Sequence, residues 1–188
     1  MNKTVVWITG LSGAGKTTTA NALNEKLKAE GYRSAVADAD TLRYNSKTPI
    51  GFDIEGRWKA VNTMIYAVRN MIEFQRAEVV IVASISPLKQ MRALARDILT
   101  KYCNARFIEV YMDTPLEICE ERDLKGLYKK FRAGLIKDMS GIDSPYEVPE
   151  WPDIRIHPRS TAYGKMTVER AVDIIYNQIH ESTLLTNT

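Results

Sequence analysis

Short apolar segments alternate with longer amphipathic segments along this chain. Four runs rich in apolar and β-branched residues predict strands, at residues 5–9, 33–37, 78–83 and 106–112. Apolar residues at helical spacing predict helices at residues 18–28, 54–75, 88–102, 113–123 and 167–180. The proline-rich residues 141–158 are predicted to be irregular, with one short strand at 153–157. This alternation of strands and helices predicts an α/β fold with a mostly parallel central sheet flanked by helices.

The composition is typical of one globular domain. The chain has 188 residues, 45% of them hydrophobic and 26% charged, and its net charge is +3. That charge is too small to indicate nucleic-acid binding, and no apolar run approaches the roughly 18 residues of a membrane span. Cys103 and Cys119 form no close pair, which favours a reducing compartment and two core residues. We expect a single domain over residues 1–181, a flexible tail over 182–188, and a cytoplasmic protein with no membrane or nucleic-acid partner.

A glycine-rich stretch between the first predicted strand and the first predicted helix carries a chemical signature. The run Gly10-Leu11-Ser12-Gly13-Ala14-Gly15-Lys16-Thr17 fits the phosphate-binding loop G-x-x-x-x-G-K-[ST] at every fixed position. Backbone N–H groups of such a loop and the following helix N-terminus bind nucleotide phosphates. Lys16 then reaches the β- and γ-phosphates, and the Thr17 hydroxyl binds Mg²⁺.

A chance match to this pattern in an ordinary glycine turn is the alternative. The strand before the loop and the helix after it are the context that the phosphate site requires, and they favour the functional interpretation. Thr18 begins the predicted helix and belongs to the same nucleotide-binding set. The fold prediction becomes a three-layer P-loop NTPase fold with a lid segment, binding a nucleoside triphosphate and Mg²⁺.

Two carboxylates follow the second predicted strand. Asp38 and Asp40 come after residues 33–37, and the carboxyl ends of parallel strands share one edge with the phosphate-binding loop. A carboxylate there accepts a proton from a substrate hydroxyl, or holds Mg²⁺ directly or through water. Asp38 is therefore a candidate metal ligand or simply a cap of the following helix, and Asp40 is a candidate base or metal ligand.

Basic residues occur in three places. Arg43 and Arg57 flank a predicted loop over 43–52, where they either hold an anionic substrate or lie solvated on the surface. Residues 125–132, KGLYKKFR, are typical of a nucleic-acid patch or, in a P-loop kinase, of a lid that closes over the phosphates and excludes water. The basic residues of the helix at 88–102 are interpreted as its solvated face: Lys89, Arg92, Arg96 and Lys101.

Several motifs resemble those of adenylylsulfate kinases in order and spacing, from residue 4 to about residue 180. They are GLSGAGKTTTA, Asp38-x-Asp40-x-x-Arg43, Gly51-Phe52 with Arg57, Ile85-Ser86-Pro87, Pro115-Leu116-Glu117-x-Cys119-Glu120-x-Arg122-Asp123, KGLYKK, and Gly141-Ile142-Asp143-x-Pro145-Tyr146-Glu147. The phosphate-binding loop alone indicates only a nucleotide-binding protein, whereas KGLYKK together with GIDxPYE is much narrower. The resemblance implies transfer of the γ-phosphate of ATP to the 3′-hydroxyl of adenosine 5′-phosphosulfate by a Mg²⁺-dependent homodimer.

The resemblance also implies roles for individual residues. Asp40 resembles the family's base near the acceptor hydroxyl, and Lys125 is the lid cation that neutralises the transferring phosphate. Ser86 matches a serine that some members are described as phosphorylating. The residues that resemble the acceptor site are Asp40, Arg43, Phe52, Arg57, Ile85, Ser86, Lys125, Leu127 and Met139, and Arg122 joins the ATP-binding set.

Departures from the family pattern concentrate in the acceptor half. Where this chain has Ala39, Gly56 and Ala60, the family usually has Gly, Asp and Asn, respectively. Where this chain has Asn62 and Thr63, the family usually has Arg at both positions, and where it has Met139, the family usually has Phe. In the family, the Asn contacts the acceptor adenine and the Phe stacks on it. Their loss has two interpretations: a base pocket changed for another nucleotide, or sequence drift in which residues such as Met139 take over the packing. The alternatives are a paralogue for another small nucleotide, such as the cytidine diphosphoramidate kinases of capsule pathways, and a non-catalytic nucleotide-binding module.

Overall fold

A five-stranded parallel sheet forms the centre of the computed structural model, which describes residues 3–158 and 166–185. The strands lie in the order β2-β3-β1-β4-β5, and every neighbouring pair is parallel. They are β1 (Thr4–Thr9), β2 (Ser34–Asp38), β3 (Val79–Ala83), β4 (Arg106–Met112) and β5 (Ile154–Ile156). The helices are α1 (Lys16–Ala29), α2 (Ala39–Tyr44), α3 (Ile54–Glu73), α4 (Lys89–Cys103), α5 (Leu116–Arg122), α6 (Leu127–Arg132) and α7 (Val168–Leu185). The predicted α/β architecture is confirmed.

The central strand β1 contributes side chains to a separate core on each face of the sheet. Val6 and Ile8 pack with α1 and α7 on one face, whereas Val5 and Trp7 pack with α3 and α4 on the other. All four side chains are fully buried. Burial on both faces explains why this strand is continuously apolar instead of alternating. Because β1 is fixed on both sides, the loop that follows Thr9 begins from a rigid point.

Two short helices and several boundaries differ from the sequence prediction. α2 contains Arg43, although a loop was predicted over 43–52, and α6 makes most of the predicted lid helical. Each of these helices has 6 residues, which is too short for an apolar period to show in the sequence. α1 begins at Lys16, two residues earlier than predicted, because the helix starts directly after the left-handed Gly15.

The last helix, α7, packs along α1. Lys26 Nζ lies 2.6 Å from Asp173 Oδ1, and the Tyr32 hydroxyl lies 2.7 Å from His180 Nε2. α7 runs to Leu185 and so into the segment predicted as a tail, of which residues 186–188 lie outside the described part of the chain. Within the residues that the structure describes, no helix is both long and apolar enough to cross a membrane.

Candidate active site

A cleft at the carboxyl edge of the sheet contains a cavity of about 250 Å³. Its wall combines the loop after β1, the ends of β2 and β3, one face of α3 and the lid. The predicted site residues that line it are Ser12, Gly13, Gly15, Lys16, Thr17, Thr18, Asp38, Asp40, Arg43, Phe52, Arg57, Ile85, Ser86, Lys125, Leu127 and Met139. Four predicted residues are outside this lining, namely Gly10, Leu11, Ala14 and Arg122. The parallel strands thus bring residues from distant parts of the chain to one edge, as their topology predicts.

The loop between β1 and α1 is shaped by two glycines that tolerate no side chain. Gly10 has φ 148°, and a Cβ there would lie 2.8 Å from the Met112 carbonyl oxygen. Gly13 has φ 75°, and its Cβ would lie 2.9 Å from the Cys119 carbonyl oxygen. Among the described residues, no side chain caps the N-terminus of α1. The first N–H groups of this helix are therefore available to the phosphates of a nucleotide.

Lys16 is folded back over the loop. Its ammonium donates to the Leu11 carbonyl at 2.7 Å, which gives Leu11 a structural role behind the cavity wall. Burial lowers the pKa of Lys16 to about 8; the neighbouring Lys125 cation acts in the same direction, and Asp40 opposes it. Arg122 supports the same loop from below, since its Nη1 donates to the Gly13 carbonyl at 3.2 Å. Lys16 also lines the cavity, where a phosphate oxygen could take the place of the Leu11 carbonyl as its hydrogen-bond partner.

Asp38 fulfils the helix-cap interpretation and faces Thr17 at the same time. Its Oδ1 accepts from the backbone N–H groups of Asp40 at 2.9 Å and Thr41 at 3.2 Å, at the start of α2. Its Oδ2 accepts from the Thr17 hydroxyl at 2.8 Å. Two oxygens of the kind that Mg²⁺ prefers therefore lie side by side at the entrance to the phosphate loop.

Asp40 and Lys125 form an ion pair across the cleft. Both side chains are more than half exposed, so the pair contributes little to stability and either partner is free to exchange for a ligand. Asp40 comes from the first turn of α2, whereas Lys125 precedes the lid helix α6. The contact brings the predicted base and the predicted lid cation to the same place.

The lid is attached to the phosphate loop by a residue that sequence analysis missed. Tyr128 is 3% exposed, and its hydroxyl donates to the Ser12 carbonyl at 2.9 Å. Asp123 caps α6 by accepting from the N–H groups of Tyr128 and Lys129, both at 3.0 Å. Sequence analysis assigned the segment to a lid but gave Tyr128 no separate role, and in the structure this residue connects the lid to the phosphate loop.

The two predicted acceptor arginines hold backbone carbonyls. Arg43 donates from Nη1 to the Ile50 carbonyl at 2.8 Å and to the Gly51 carbonyl at 2.6 Å, and its guanidinium lies 4.5 Å from the centre of the Phe52 ring. Arg57 donates from Nε to the Phe52 carbonyl at 2.7 Å and from its Nη atoms to Ser140 and Asp138. Burial lowers the pKa of both guanidinium groups. The pair is therefore not a solvated surface pair, and it shapes the acceptor side of the cleft.

Ser86 is fixed in a chain of buried hydrogen bonds. Ser86 is 2% exposed, and its backbone has φ 41°. The Ser86 hydroxyl accepts a hydrogen bond from Trp7 Nε1 at 3.1 Å and donates one to Ser84 Oγ at 3.1 Å. Its neighbour Ile85 accepts from the Thr9 hydroxyl through its carbonyl at 2.6 Å. These contacts give Ser86 a structural function at the cavity wall, and its phosphorylation stays a prediction.

Most of the chain also matches a protein family. The model of the family Adenylylsulphate kinase matches residues 2–157. The chain belongs to the adenylylsulfate kinase family. The adenylyl-sulfate kinase of Clostridium acetobutylicum is 40% identical over 181 residues, which are 96% of this chain and 85% of the relative. That of Aeromonas hydrophila is 42% identical over 152 residues, which are 81% of this chain and 75% of the relative.

A solved structure from the adenylylsulfate kinase family agrees with the fold. The structure of the Mycobacterium tuberculosis APS kinase in complex with AMPPNP and APS has a TM-score of 0.84 to this chain. The two sequences are 34% identical, and the alignment covers 96% of this chain and 99% of the other. The P-loop kinase fold, ATP with Mg²⁺, and phosphotransferase chemistry are therefore properties of the adenylylsulfate kinase family to which this chain belongs.

The departures from the usual adenylylsulfate kinase pattern do not all lie at the cavity. Ala39, Ala60 and Met139 line it, and Met139 is only 8% exposed. Asn62 and Thr63 lie further along α3 and are outside the lining. Ala60 and Met139, which line the cavity at the positions of the family's Asn and Phe, are therefore the residues most able to change the base pocket.

Arg92 corrects the prediction that the basic residues of α4 form a solvated face. It is 4% exposed, and its Nε donates to Glu109 Oε1 at 2.8 Å. Its Nη1 donates to the Ser86 carbonyl at 2.9 Å, and its Nη2 to the Glu147 carbonyl at 2.8 Å. Lys89 is exposed as predicted. Arg92 thus joins the segment after β3 to the GIDxPYE segment. The helical periodicity of α4 did not indicate that Arg92 is buried, because its burial depends on partners 17 and 55 residues away in the sequence.

Lys137 is a second cavity residue that the sequence analysis missed. It lines the cleft between the lid and Met139 and is exposed. Its position between KGLYKK and GIDxPYE, the two motifs that carry the narrowest family resemblance, was the available signal. It adds a cation on the acceptor side, where Arg43 and Arg57 are engaged with carbonyls.

Proposed function

We propose that this protein transfers the γ-phosphate of ATP to the 3′-hydroxyl of adenosine 5′-phosphosulfate. The observation that carries this proposal is the convergence of Lys16, the Thr17–Asp38 pair and the Asp40–Lys125 pair on one cavity. The relatives from Clostridium acetobutylicum and Aeromonas hydrophila, both adenylyl-sulfate kinases, support the choice of acceptor.

Residues of the cavity can position the substrates, take up the proton and neutralise charge in an in-line transfer. Asp40 accepts the proton of the acceptor hydroxyl as the new oxygen–phosphorus bond forms, and the bond between the γ-phosphorus and the ADP oxygen breaks. Lys16 and Lys125 neutralise charge on the phosphates, and Lys125 leaves Asp40 for the transferring group. Tyr128 holds the lid against the loop, which limits the access of water.

Thr17 Oγ1 and Asp38 Oδ2 are the atoms that would hold Mg²⁺. They lie 2.8 Å apart at the phosphate loop, and hard cations prefer such oxygen ligands. The metal supplies neutralisation of phosphate charge when it is bound. Asp38 as a metal ligand is a proposal, supported by its position beside Thr17.

A second acceptor is favoured by one specific observation. Ala60 and Met139 line the cavity where the family usually has Asn and Phe, so the base pocket differs in the two residues that matter most. A paralogous kinase for another small nucleotide, such as cytidine diphosphoramidate, fits the same reaction chemistry. A site that hydrogen-bonds one base discriminates strongly against another, because the buried polar group is left unpaired.

A coupled ADP-release assay with a panel of nucleotide acceptors tests the proposal. We expect adenosine 5′-phosphosulfate to be the best acceptor, and the double variant Ala60→Asn with Met139→Phe to change its turnover only modestly. Efficient turnover of a cytidine nucleotide, with no turnover of adenosine 5′-phosphosulfate, contradicts the proposed acceptor. It does not contradict the assignment of the protein as a kinase. ATP binding without turnover of any acceptor supports the non-catalytic module instead.

We also propose a homodimer in the cytoplasm. The family resemblance supports the dimer, and two free, buried cysteines are compatible with a reducing compartment. Light scattering of the purified chain measures the mass in solution and decides between monomer and dimer.

A further inference from the structure

A loop on the acceptor side of the cleft lies directly on the first turn of α3. A Cβ at Gly56 would lie 2.3 Å from the Gly51 carbonyl oxygen and 2.4 Å from its carbonyl carbon. Real Cβ atoms do not approach backbone atoms this closely. Gly56 lies inside α3, so its backbone conformation is accessible to any residue, and space alone requires glycine here. The backbone of Gly51 occupies the volume that a side chain at position 56 would fill.

Basic side chains of α2 and α3 bind the backbone carbonyls of the same loop. Four consecutive carbonyls of the loop accept hydrogen bonds from these side chains. Lys59 donates to the Pro49 carbonyl, and Arg57 donates to the Phe52 carbonyl. Arg43 donates to the two carbonyls between them, those of Ile50 and Gly51. The backbone N–H of Gly56 donates to Asp53 Oδ1 at 2.8 Å and closes the loop at its end. The loop over residues 49–53 is therefore fixed against the start of α3, by Arg57 and Lys59 of that helix and by Arg43 of α2.

The position of this loop decides where the acceptor side of the cavity lies. Phe52 lines the cavity, is 60% exposed, and has its ring beneath the Arg43 guanidinium. Arg57 continues from the Phe52 carbonyl to Ser140, which lies next to Met139 on the opposite wall. An outward shift of the loop would move Phe52 away from a bound acceptor and withdraw the carbonyls that hold Arg43 and Arg57 in place, while leaving the phosphate loop unchanged.

We propose that Gly56 is a positioning residue for the acceptor nucleotide. By lacking a side chain, it lets residues 49–53 lie against α3 and present Phe52 and the two arginines to the base and the anionic group of the acceptor. This rests on the proposed function, because it assumes a nucleotide acceptor in this half of the cleft. It adds a specificity determinant at a position outside the cavity lining.

Replacement of Gly56 by alanine tests the proposal. Gly→Ala inside a helix ordinarily favours the helix, so a loss of function here has to come from the displaced loop. A misplacement of about 1 Å costs about 10²-fold, and we expect the KM for the acceptor to rise about 10- to 100-fold. The KM for ATP should stay within about twofold, because among the described residues no hydrogen bond joins residues 10–17 to residues 49–53.

Asn62→Ala is the matched control. It lies on α3, is exposed, and brings a similar gain in helix propensity without touching the loop. Its kinetic constants should match those of the unmodified protein. The inference is overturned if Gly56→Ala leaves the acceptor KM unchanged or raises both KM values equally. Global unfolding of Gly56→Ala also overturns it, since a contact that serves only a surface loop cannot unfold the domain.

The test separates this inference from the proposed function. If the acceptor panel identifies a different nucleotide, the same comparison is made with that nucleotide. A selective rise in its KM supports Gly56 as a positioning residue even though adenosine 5′-phosphosulfate is wrong. An unchanged KM refutes the role of Gly56 while the acceptor assignment stands.

Discussion

The positive charge of the Lys16 ammonium group is only partly balanced by the negative charges around it. Burial removes water from it, and the neighbouring Lys125 adds a like charge, so its pKa falls to about 8. Among the described residues, its one hydrogen-bond acceptor is the Leu11 carbonyl. Nucleotide phosphates supply the missing negative charge and raise this pKa again. ATP binding is therefore coupled to the protonation of Lys16.

This coupling predicts that ATP affinity decreases above about pH 8. Below that pH Lys16 is already charged, whereas above it binding has to take up one proton, which costs about tenfold in affinity per pH unit. Calorimetric titration from about pH 7 to about pH 9.5, with EDTA so that no metal titrates, measures the effect. Lys16→Met should bind weakly and without this slope. A wild-type affinity that is flat across the range contradicts the prediction.

Asp40→Asn should separate the base from a metal ligand. The amide keeps the shape and size of the carboxylate but accepts no proton, so we expect turnover to fall by about 10²- to 10⁴-fold. The affinity for MgATP should change little. Asp97→Asn, an exposed change on α4, is the control and should turn over normally. A parallel loss of MgATP affinity in Asp40→Asn would instead identify Asp40 as a metal ligand.

At the scale of elements, α4 is connected to a segment that is distant in sequence. The residue before α4, Leu88, caps no N–H group with its side chain, and Glu147 Oε2 accepts from the Lys89 N–H at 2.6 Å instead. Arg92 binds the carbonyls of Ser86 and Glu147. The start of α4, the segment after β3 and the GIDxPYE segment therefore behave as one unit at the cleft.

Arg92→Ala should destabilise this unit strongly. It leaves Glu109, whose side chain is only 12% exposed, without its main partner, and such a loss typically costs about 3–5 kcal/mol. Urea unfolding measures the change. Lys101→Ala on the same helix is exposed and should lie within about 0.5 kcal/mol of the unmodified protein. The double variant Arg92→Met with Glu109→Gln should recover part of the loss, and equal losses in the single and double variants would contradict the explanation.

The elements that sequence analysis predicted well are those whose signal is local. The strands and long helices repeat apolar residues over several turns or along a whole strand, as in β1 and α3. The helices α2 and α6 were missed because each depends on one capping carboxylate, Asp38 for α2 and Asp123 for α6. A single Asp before a short segment is too common in sequences to predict a helix.

The site divides in the same way at the scale of the whole molecule. The phosphate loop is one continuous motif, so its residues could be named from the sequence alone, and most of them line the cavity. The acceptor half is assembled from α2, α3, the segment after β3 and the lid, and its contacts span 81 and 83 residues between Arg57 and its partners Asp138 and Ser140. Because these partners meet only in the folded chain, neither the carbonyl contacts of the arginines nor the burial of Arg92 was predicted.

Binding of MgATP should stabilise the whole domain. A ligand that binds only the folded chain adds about 2.7 kcal/mol at 100 times its Kd, which corresponds to a rise in Tm of about 5–10 °C for a domain of this size. Lys16→Ala should lose most of this rise while its Tm without ligand stays at or above that of the unmodified protein, because a buried ammonium is unfavourable at neutral pH. Differential scanning calorimetry gives both values, and an equal rise in the two proteins would contradict the role of Lys16.

The indole of Trp7 gives the protein an optical reporter of its own active site. Its N–H donates to Ser86 Oγ at the cavity wall, and the ring is fully buried, whereas Trp151 is 90% exposed. Indoles in apolar surroundings emit at shorter wavelengths than indoles in water, but the chain also has Trp58, which is partly buried on α3. In a background with both Trp58→Phe and Trp151→Phe, Trp7 is the one remaining indole, and a change at Ser86 on nucleotide or acceptor binding alters its short-wavelength fluorescence. Each step of the catalytic cycle can then be timed in a stopped-flow instrument without attaching a dye.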